Sequence, residues 1–336
     1  MILAGDIGGT NTRLALFREE SGRLLLAEEQ IFPSRQHASL EEIVGLYLKS
    51  RPQTVEAACF GIAGPVINGR ATTANLPWIV DAAELSRRAS IPSVWIINDL
   101  QAHAYGISDL PAKSLLTLNE GKLTAGNRAL IAAGTGLGEA GMFWDGSEHH
   151  AFAGEGGHAD FAPANELEAA LHAFLMKKFG HVSCERVLSG PGIKNIYDFL
   201  VAAGIQEEPE WLRDQLAQAF DPVVVISDHA LNTTAPICQC ALDIFVSAYG
   251  AEAGNMALRL MAVGGVYVSG GIAGKIIPLL KKPAFMKAFV DKGRMEGLLN
   301  AVPVKVIVND HIGLLGAARY ALRSSRGNLK PAYSQA

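Results

Sequence analysis

The sequence predicts an α/β protein built as two similar halves. Three observations carry this. A short apolar strand, a glycine-rich turn and a returning strand occur twice, at residues 2–17 and again at 129–144, and self-similarity of this kind marks a repeated architecture. Apolar, β-prone runs alternate with longer segments of helical periodicity, as in sheets flanked by helices. The 336 residues are enough for two domains and a large core. The expected division is a small α/β domain over residues 1–109, completed by a C-terminal helix within 312–336, and a large α/β domain over 110–311.

Taken in order, Ile2–Gly5 reads as a first strand and Gly8-Gly9-Thr10 as a tight turn. Arg13–Phe17 and Leu24–Phe32 follow as strands. Ser39-x-x-Glu42 is a capping box opening a helix to about Lys49. Val55–Ile62 is a strand, Thr73–Trp78 a loop, and Asp81–Ala89 helical. Val94–Ile97 is an apolar run ending abruptly in Asn98-Asp99, with a helix from Leu100 to Tyr105 beyond it. Ala129–Ala133, Gly134-Thr135-Gly136-Leu137-Gly138 and Ala140–Trp144 repeat the opening plan, and Asp145-Gly146 turns into His149–Phe152. Asn165-x-x-Glu168 caps a helix whose inner face carries Leu167, Ala170, Leu171, Phe174 and Leu175, closed by Gly180. Ser183 reads as the cap of another helix. Pro236 opens a long one reaching about Val263, with Met256 and Met261 as core filler. Val266–Ser269 and Val302–Val308 are strands, Ile312–Arg323 a last helix, and residues 327–336 a polar tail.

Composition excludes several classes. Hydrophobic residues make up 49% and charged residues 18%, a folded and not a disordered balance. A net charge of −4 argues against nucleic acid as the main partner. No run of about 18 apolar residues is present, so no membrane span is expected. The opening Met1–Asp6 lacks a signal peptide's basic start, which points to the cytoplasm. Cys59, Cys184, Cys238 and Cys240 do not form a disulfide framework, and Cys238 and Cys240 lie two apart in a helical stretch, where they do not face each other. No zinc site is expected.

The chemistry concentrates at strand ends. Open α/β sheets place their sites just past the carboxyl ends of their strands. A carboxylate there, as at Asp99, can serve as a general base towards a hydroxyl; equally, Asn98 and Asp99 can simply cap the next helix. Paired glycines let backbone N–H groups approach an anion, so the turns after Asp6 and after Ala133 suit phosphate. Gly136-x-Gly138-x-x-Gly141 fits the dinucleotide fingerprint, but that motif needs a helix beginning inside the glycines, and here the residues alternate as in a hairpin. Glycines around Glu155 and His158 suggest a loop pressing polar side chains onto a ligand. Glu185, taken alone, reads as an acid placed at the positive end of a helix. Two phosphate turns and a carboxylate base suggest phosphoryl transfer to a hydroxyl.

Five motifs then carry a resemblance: Asp6-Ile7-Gly8-Gly9-Thr10-Asn11, Ile97-Asn98-Asp99, Gly134–Gly138, Gly154-Glu155-Gly156-Gly157-His158 through Pro163, and Gly180 through Gly192. In order and over nearly the whole chain, to about Tyr320, they resemble the bacterial glucokinases, more narrowly the proteobacterial type within the hexokinase group. The resemblance implies the actin-like ATPase fold, two α/β domains around a cleft, with ATP, Mg²⁺ and glucose as ligands and glucose 6-phosphate as a product feeding glycolysis. It implies Asp99 as the base, and Asn98, Glu155, His158 and Glu185 as partners of the other hydroxyls. Asp6 would orient Mg²⁺ through water. Gly8, Gly9, Thr10 and Asn11, with Gly134, Thr135, Gly136 and Gly138, would hold phosphates, and Gly270 and Gly271 would lie near the nucleotide. The loop around Asn75 would also face the sugar. A homodimer is implied. Related sugar kinases carry a zinc cluster of three cysteines and a histidine, which this chain lacks. The rival readings are a non-catalytic sugar sensor, for which a chain whose first strand begins at Ile2 leaves no room for a DNA-binding domain, a nicotinamide dehydrogenase, and a kinase for mannose or N-acetylmannosamine.

Overall fold

The computed structural model describes residues 1–73 and 76–327. The chain divides into two compact units. One comprises Met1–Ser114, His150–Ala153 and the chain from Asn309 on; the other comprises Leu115–His149 and Gly154–Val308.

The first unit is built on a five-stranded sheet of β1 (Ile2–Ile7), β2 (Asn11–Glu20), β3 (Arg23–Pro33), β4 (Ala57–Ile62) and β5 (Ser93–Asn98). Its order is β3-β2-β1-β4-β5. The hairpins β1–β2 and β2–β3 are antiparallel, while β1, β4 and β5 are parallel, with Ile7, Ile62 and Asn98 in register. Central parallel strands are covered on both faces, and β4 is buried throughout. Helix α1 (Leu40–Lys49) begins where Ser39 Oγ accepts the Glu42 N–H at 3.3 Å. The Glu42 carboxylate reaches past the cap to Ala38 N–H at 2.8 Å. Asp81 caps α2 (Ala82–Ala89), its Oδ1 accepting from Ala83 and Glu84. Such caps are each worth about 1 kcal/mol. Helix α3 (Asp99–Gly106) leaves β5 directly. The C-terminal helix, Ile312–Ser325, crosses α3 at Gly106 and Gly316, where a methyl on Gly316 would overlap the Ala102 carbonyl. Leu3, Leu14, Leu16, Tyr47 and Phe60 fill the core on the sheet's other side. A small antiparallel sheet of Val66–Ile67, Arg70–Thr72 and Ile79–Asp81 completes the unit.

The second sheet contains β6 (Leu115–Asn119), β7 (Arg128–Ala133), β8 (Leu137–Trp144), β9 (His149–Gly154), β10 (Val266–Ser269) and β11 (Val304–Ile307). Its order is β9-β8-β7-β10-β11-β6. Here β7 is antiparallel to β8 and parallel to β10, as β1 is to β2 and β4, so the repeat read from the sequence is a repeat of topology. Helix α4 (Glu166–Phe179) is capped by Asn165 and ends at Gly180, φ +74°. Helix α5 spans Gly190–Ala202. Helix α6, Pro236–Leu260, runs through the core and buries Ile237, Leu242, Phe245, Tyr249 and Met256.

Some elements differ from expectation. Helix α6 stops at Leu260; Met261, φ +47° and 51% exposed, is its cap residue and not core filler. Ser183 opens only a one-turn 3-10 segment, Cys184–Arg186, and its side chain makes no cap bond. The true cap is Ser189, whose Oγ accepts Gly192 N–H at 3.0 Å. Pro191, lacking an N–H and preset in φ, suits the first turn of a helix, so α5 begins there. Asn75 and the tail beyond Gly327 lie outside the described residues. No helix among the described residues is long and apolar enough to cross a membrane.

Candidate active site

In the first unit the candidate residues meet at the carboxyl edge of β1, β4 and β5. The Gly8–Asn11 turn closes with a Gly8 N–H to Asn11 carbonyl bond of 3.0 Å. Ser34 braces it from behind, donating through Oγ to the Gly8 carbonyl at 2.8 Å while lying 3.0 Å from Thr12 Oγ1. Thr10 and Asn11 are exposed. Asn98 is a cap, as its residue type allows: Oδ1 accepts from Leu100 N at 2.9 Å and Gln101 N at 3.3 Å, and Nδ2 donates to the Gly64 carbonyl at 3.2 Å. That fixes Asp99 as the first residue of α3.

Asp6 and Asp99 share an electrostatic problem. Burial pushes the Asp6 carboxyl above its ordinary value, with Arg13, its register partner on β2, pulling it back. Burial also raises Asp99, as does the charge of Asp6, while His103 and the Leu100 N–H lower it. His103 follows Asp99 by four residues on α3, the spacing that stacks side chains on one helix face. Burial drives the His103 imidazole down, so it is neutral at pH 7. Its Nδ1 is buried with no hydrogen-bond partner among the described residues. A Cβ on Gly313 would lie 3.1 Å from Asp6 Oδ2 and 3.3 Å from His103 Cδ2, so Asp6 and His103 approach the same point of the C-terminal helix. The sequence reading missed His103; the signal was its i, i+4 spacing from Asp99.

In the second unit the Gly134–Gly138 turn closes through Gly134 N–H to the Gly136 carbonyl, 2.8 Å, and leads into strand β8, not a helix. That excludes the dinucleotide fingerprint at Gly136 to Gly141. Thr135 is exposed. Glu185 lies in the one-turn 3-10 segment Cys184–Arg186, but its carboxylate is bonded to β8. Its Oε2 accepts the Leu137 N–H at 2.9 Å, and it lies so close to Gly136 that a methyl group there would overlap it. Gly270, φ +91°, packs against Ala133 at the end of β7, a fit that a side chain would block, and Gly271 opens the helix Gly271–Lys275. Glu155 precedes the 3-10 turn Gly156–His158 and His158 ends it; both are exposed, with His158 Nε2 3.9 Å from Glu155 Oε2. The His158 carbonyl lies 3.1 Å from His181 Nε2, and Ala159 accepts Cys184 N–H at 2.9 Å, tying this turn to the segment bearing Glu185. Each unit thus offers one phosphate-sized turn at the end of a central strand and carboxylates beside it.

The sequence model of the glucokinase family matches residues 3–324. The chain belongs to the glucokinase family. The glucokinase of Nostoc sp. is 42% identical over 339 aligned residues, covering 96% of this chain and 99% of that protein. The solved glucokinase of an Antarctic psychrotroph superposes with a TM-score of 0.85 at 30% identity, covering 96% of this chain and 98% of that one. A glucokinase of the ROK family from Streptomyces griseus, solved in complex with glucose and AMPPNP, shares the fold at a TM-score of 0.64 and 21% identity. The fold is the actin-like ATPase fold. As a member of the glucokinase family the chain is an enzyme, a sugar kinase with ATP as phosphoryl donor.

Proposed function

We propose that this glucokinase-family enzyme transfers the γ-phosphoryl group of Mg-ATP to the 6-hydroxyl of D-glucose, with Asp99 as general base. The observation carrying this is the position of Asp99: a carboxylate at the carboxyl end of β5, the parallel strand beside β4, fixed by the Asn98 cap and enclosed enough for burial to raise its proton affinity. A base of raised proton affinity is better matched to a hydroxyl proton. As the sugar oxygen bonds to phosphorus, Asp99 takes its proton and ADP leaves. Asn98, Glu155, His158 and Glu185 pair with the remaining hydroxyls, and a site that pairs each hydroxyl disfavours analogues lacking one. One N–H of the Asn98 amide is left for this after its bond to Gly64.

The turn Gly8–Asn11 and the turn Gly134–Gly138, with Gly270 and Gly271, hold the nucleotide. Magnesium fits the donor set: carboxylate oxygen is a hard ligand, and the buried Asp6 carboxylate is one whose ionised form a cation would relieve. Asp6 would hold it through water. When bound with the nucleotide, the ion supplies neutralisation of phosphate charge. Glucose as acceptor is favoured by the family and by the glucose held in the Streptomyces relative. Assembly as a homodimer belongs to the same reading, and light scattering tests it.

Asp99→Ala tests the base. Glucose-dependent ADP release should fall by roughly 10²–10⁴-fold, the usual worth of a general base, with glucose still bound in calorimetry. Near-normal turnover in this variant would remove Asp99 from the chemistry. A wild-type protein that responds to mannose or N-acetylmannosamine and not to glucose would replace the acceptor.

A further inference from the structure

Strand β8 carries an acidic residue facing the core. Glu139 shares the face of Leu137, is 6% exposed, and its Oε1 is buried with no hydrogen-bond partner among the described residues. Its Oε2 lies against Gly156, so close that a methyl group there would overlap it, and Gly157 rests in the same way on the Leu137 carbonyl. Two successive residues of the turn Gly156–His158 are therefore seated on β8, one of them on a carboxyl group. The residues on either side of that seat, Glu155 and His158, are exposed.

Charges around Glu139 do not balance. From α6 it faces Glu252, Arg259 and Tyr249, and from the adjoining turn Cys184. Arg259 is engaged by Glu252 at 2.6 Å, and Glu252 also accepts from Asn255 at 2.9 Å. Of the two carboxyl groups only Glu252 holds the guanidinium directly, and the Lys292 ammonium also acts on Glu252. Burial, then the Glu252 charge, push Glu139 up to about 7, against the pull of Arg259. Cys184, pushed by burial up to about 12, and Tyr249, also raised by burial, keep their protons at neutral pH.

We propose that Glu139 is a positioning residue for the sugar-binding turn, its neutral carboxyl seating Gly156 so that Glu155 and His158 meet the sugar. This rests on the assignment of Glu155 and His158 to the sugar made above. Ionised, Glu139 becomes a second buried anion beside Glu252, and the turn above it is the element that can open to let water in. An acid whose folded-state affinity for its proton is raised contributes its full stabilisation at acid pH and loses it as pH rises through the folded value. The turn therefore loosens between pH 6 and 8.

The test pairs hydrogen exchange of the segment 154–161, corrected for intrinsic rate, with the KM for glucose, each at pH 6 and pH 8, in wild type and Glu139→Gln. In the wild type protection should fall and the glucose KM rise roughly three- to tenfold, tenfold per pH unit being the ceiling for one proton, while kcat moves much less. In Glu139→Gln both should be flat. Matching pH profiles in the two proteins overturn the proposal, and leave the kinase reading standing if glucose is still phosphorylated. The expected exchange pattern in a wild type that neither binds nor phosphorylates glucose overturns the sugar assignment, and the positioning role with it. Should Glu139→Gln not fold, Gly156→Ala should raise the glucose KM by about tenfold through overlap with the carboxyl, and Glu139→Ala in the same chain should recover most of that; strictly additive effects overturn the contact.

Discussion

The turns Gly8–Asn11 and Gly134–Gly138 follow the same plan, a parallel strand, glycines and an antiparallel return, yet they are tied down by different chemistry. The first is braced by a hydroxyl, Ser34 on the Gly8 carbonyl, within a buried pair with Thr12. The second is held by a carboxylate, Glu185 on the Leu137 N–H, from the segment connected through Ala159 to the Glu155–His158 turn. The first brace is neutral and local. The second links a turn assigned to phosphate with residues assigned to the sugar, so a disturbance there should reach both ligands. In the first unit burial leaves Asp6 and Asp99 raised in proton affinity, the second even though the Leu100 N–H reaches its carboxylate at 2.9 Å.

Among changes at the two turns, the largest effect should come from Gly136→Ala. The added methyl overlaps Glu185 Oε2, whereas the Cβ of Gly8→Ala would meet only the Asn11 carbonyl, at 3.0 Å. Overpacking of this kind costs about 1–3 kcal/mol. We expect kcat/KM to fall roughly thirtyfold in Gly136→Ala, about 2 kcal/mol, with the KM for sugar and for ATP both raised, and a clearly smaller loss in Gly8→Ala. Steady-state kinetics with each substrate varied in turn would show it. Equal losses in the two variants would mean that the two turns are tied equally and that the link to Glu185 is incidental.

Ser34→Ala probes the neutral brace. It strips a fully buried hydroxyl from the Gly8 carbonyl and from Thr12. The cost should be about 1–2 kcal/mol of stability, read as a lower urea midpoint, with the KM for ATP raised a few-fold at most and the KM for sugar unchanged. A sugar KM that moves as much as the ATP KM would erase the difference between the turns.

Much of this was legible in the sequence. The repeat, the caps at Ser39 and Asn165, and the strand ending at Asn98 follow from local patterns, because turn glycines and short polar caps act within a few residues. What escaped was set by distant contacts. Ser183 looks like a cap by type, but the chain there is committed by Pro191 and by the hydrogen bond of Cys184 N–H to Ala159. Glu185 looks like a helix-end acid until β8 supplies its donor 48 residues away. The seat under Gly156 depends on which faces meet, which no window of sequence reports. His103, four residues after Asp99, and Glu139, an acid in phase with the apolar face of a strand, each gave a local sign.

The smallest expected effect has the opposite sign. Without nucleotide or magnesium, Asp99→Asn should make the protein more stable at pH 7. Asp99 holds its proton more tightly folded than unfolded, because burial outweighs the help of His103 and the Leu100 N–H. For such an acid the folded state is favoured most below the unfolded value, and that favour is lost as pH rises through the folded one. Wherever Asp99 is ionised, the wild type therefore bears a poorly solvated charge that the amide does not. The gain should fall in the roughly 0.5–2 kcal/mol range common when strain at a functional site is relieved. It should shrink towards zero as pH drops below the ordinary carboxylate range, where both proteins are neutral at this position. Urea midpoints for the two proteins across pH 4–8 decide it: a destabilised Asp99→Asn at pH 7 would mean that burial puts no strain on the Asp99 carboxylate.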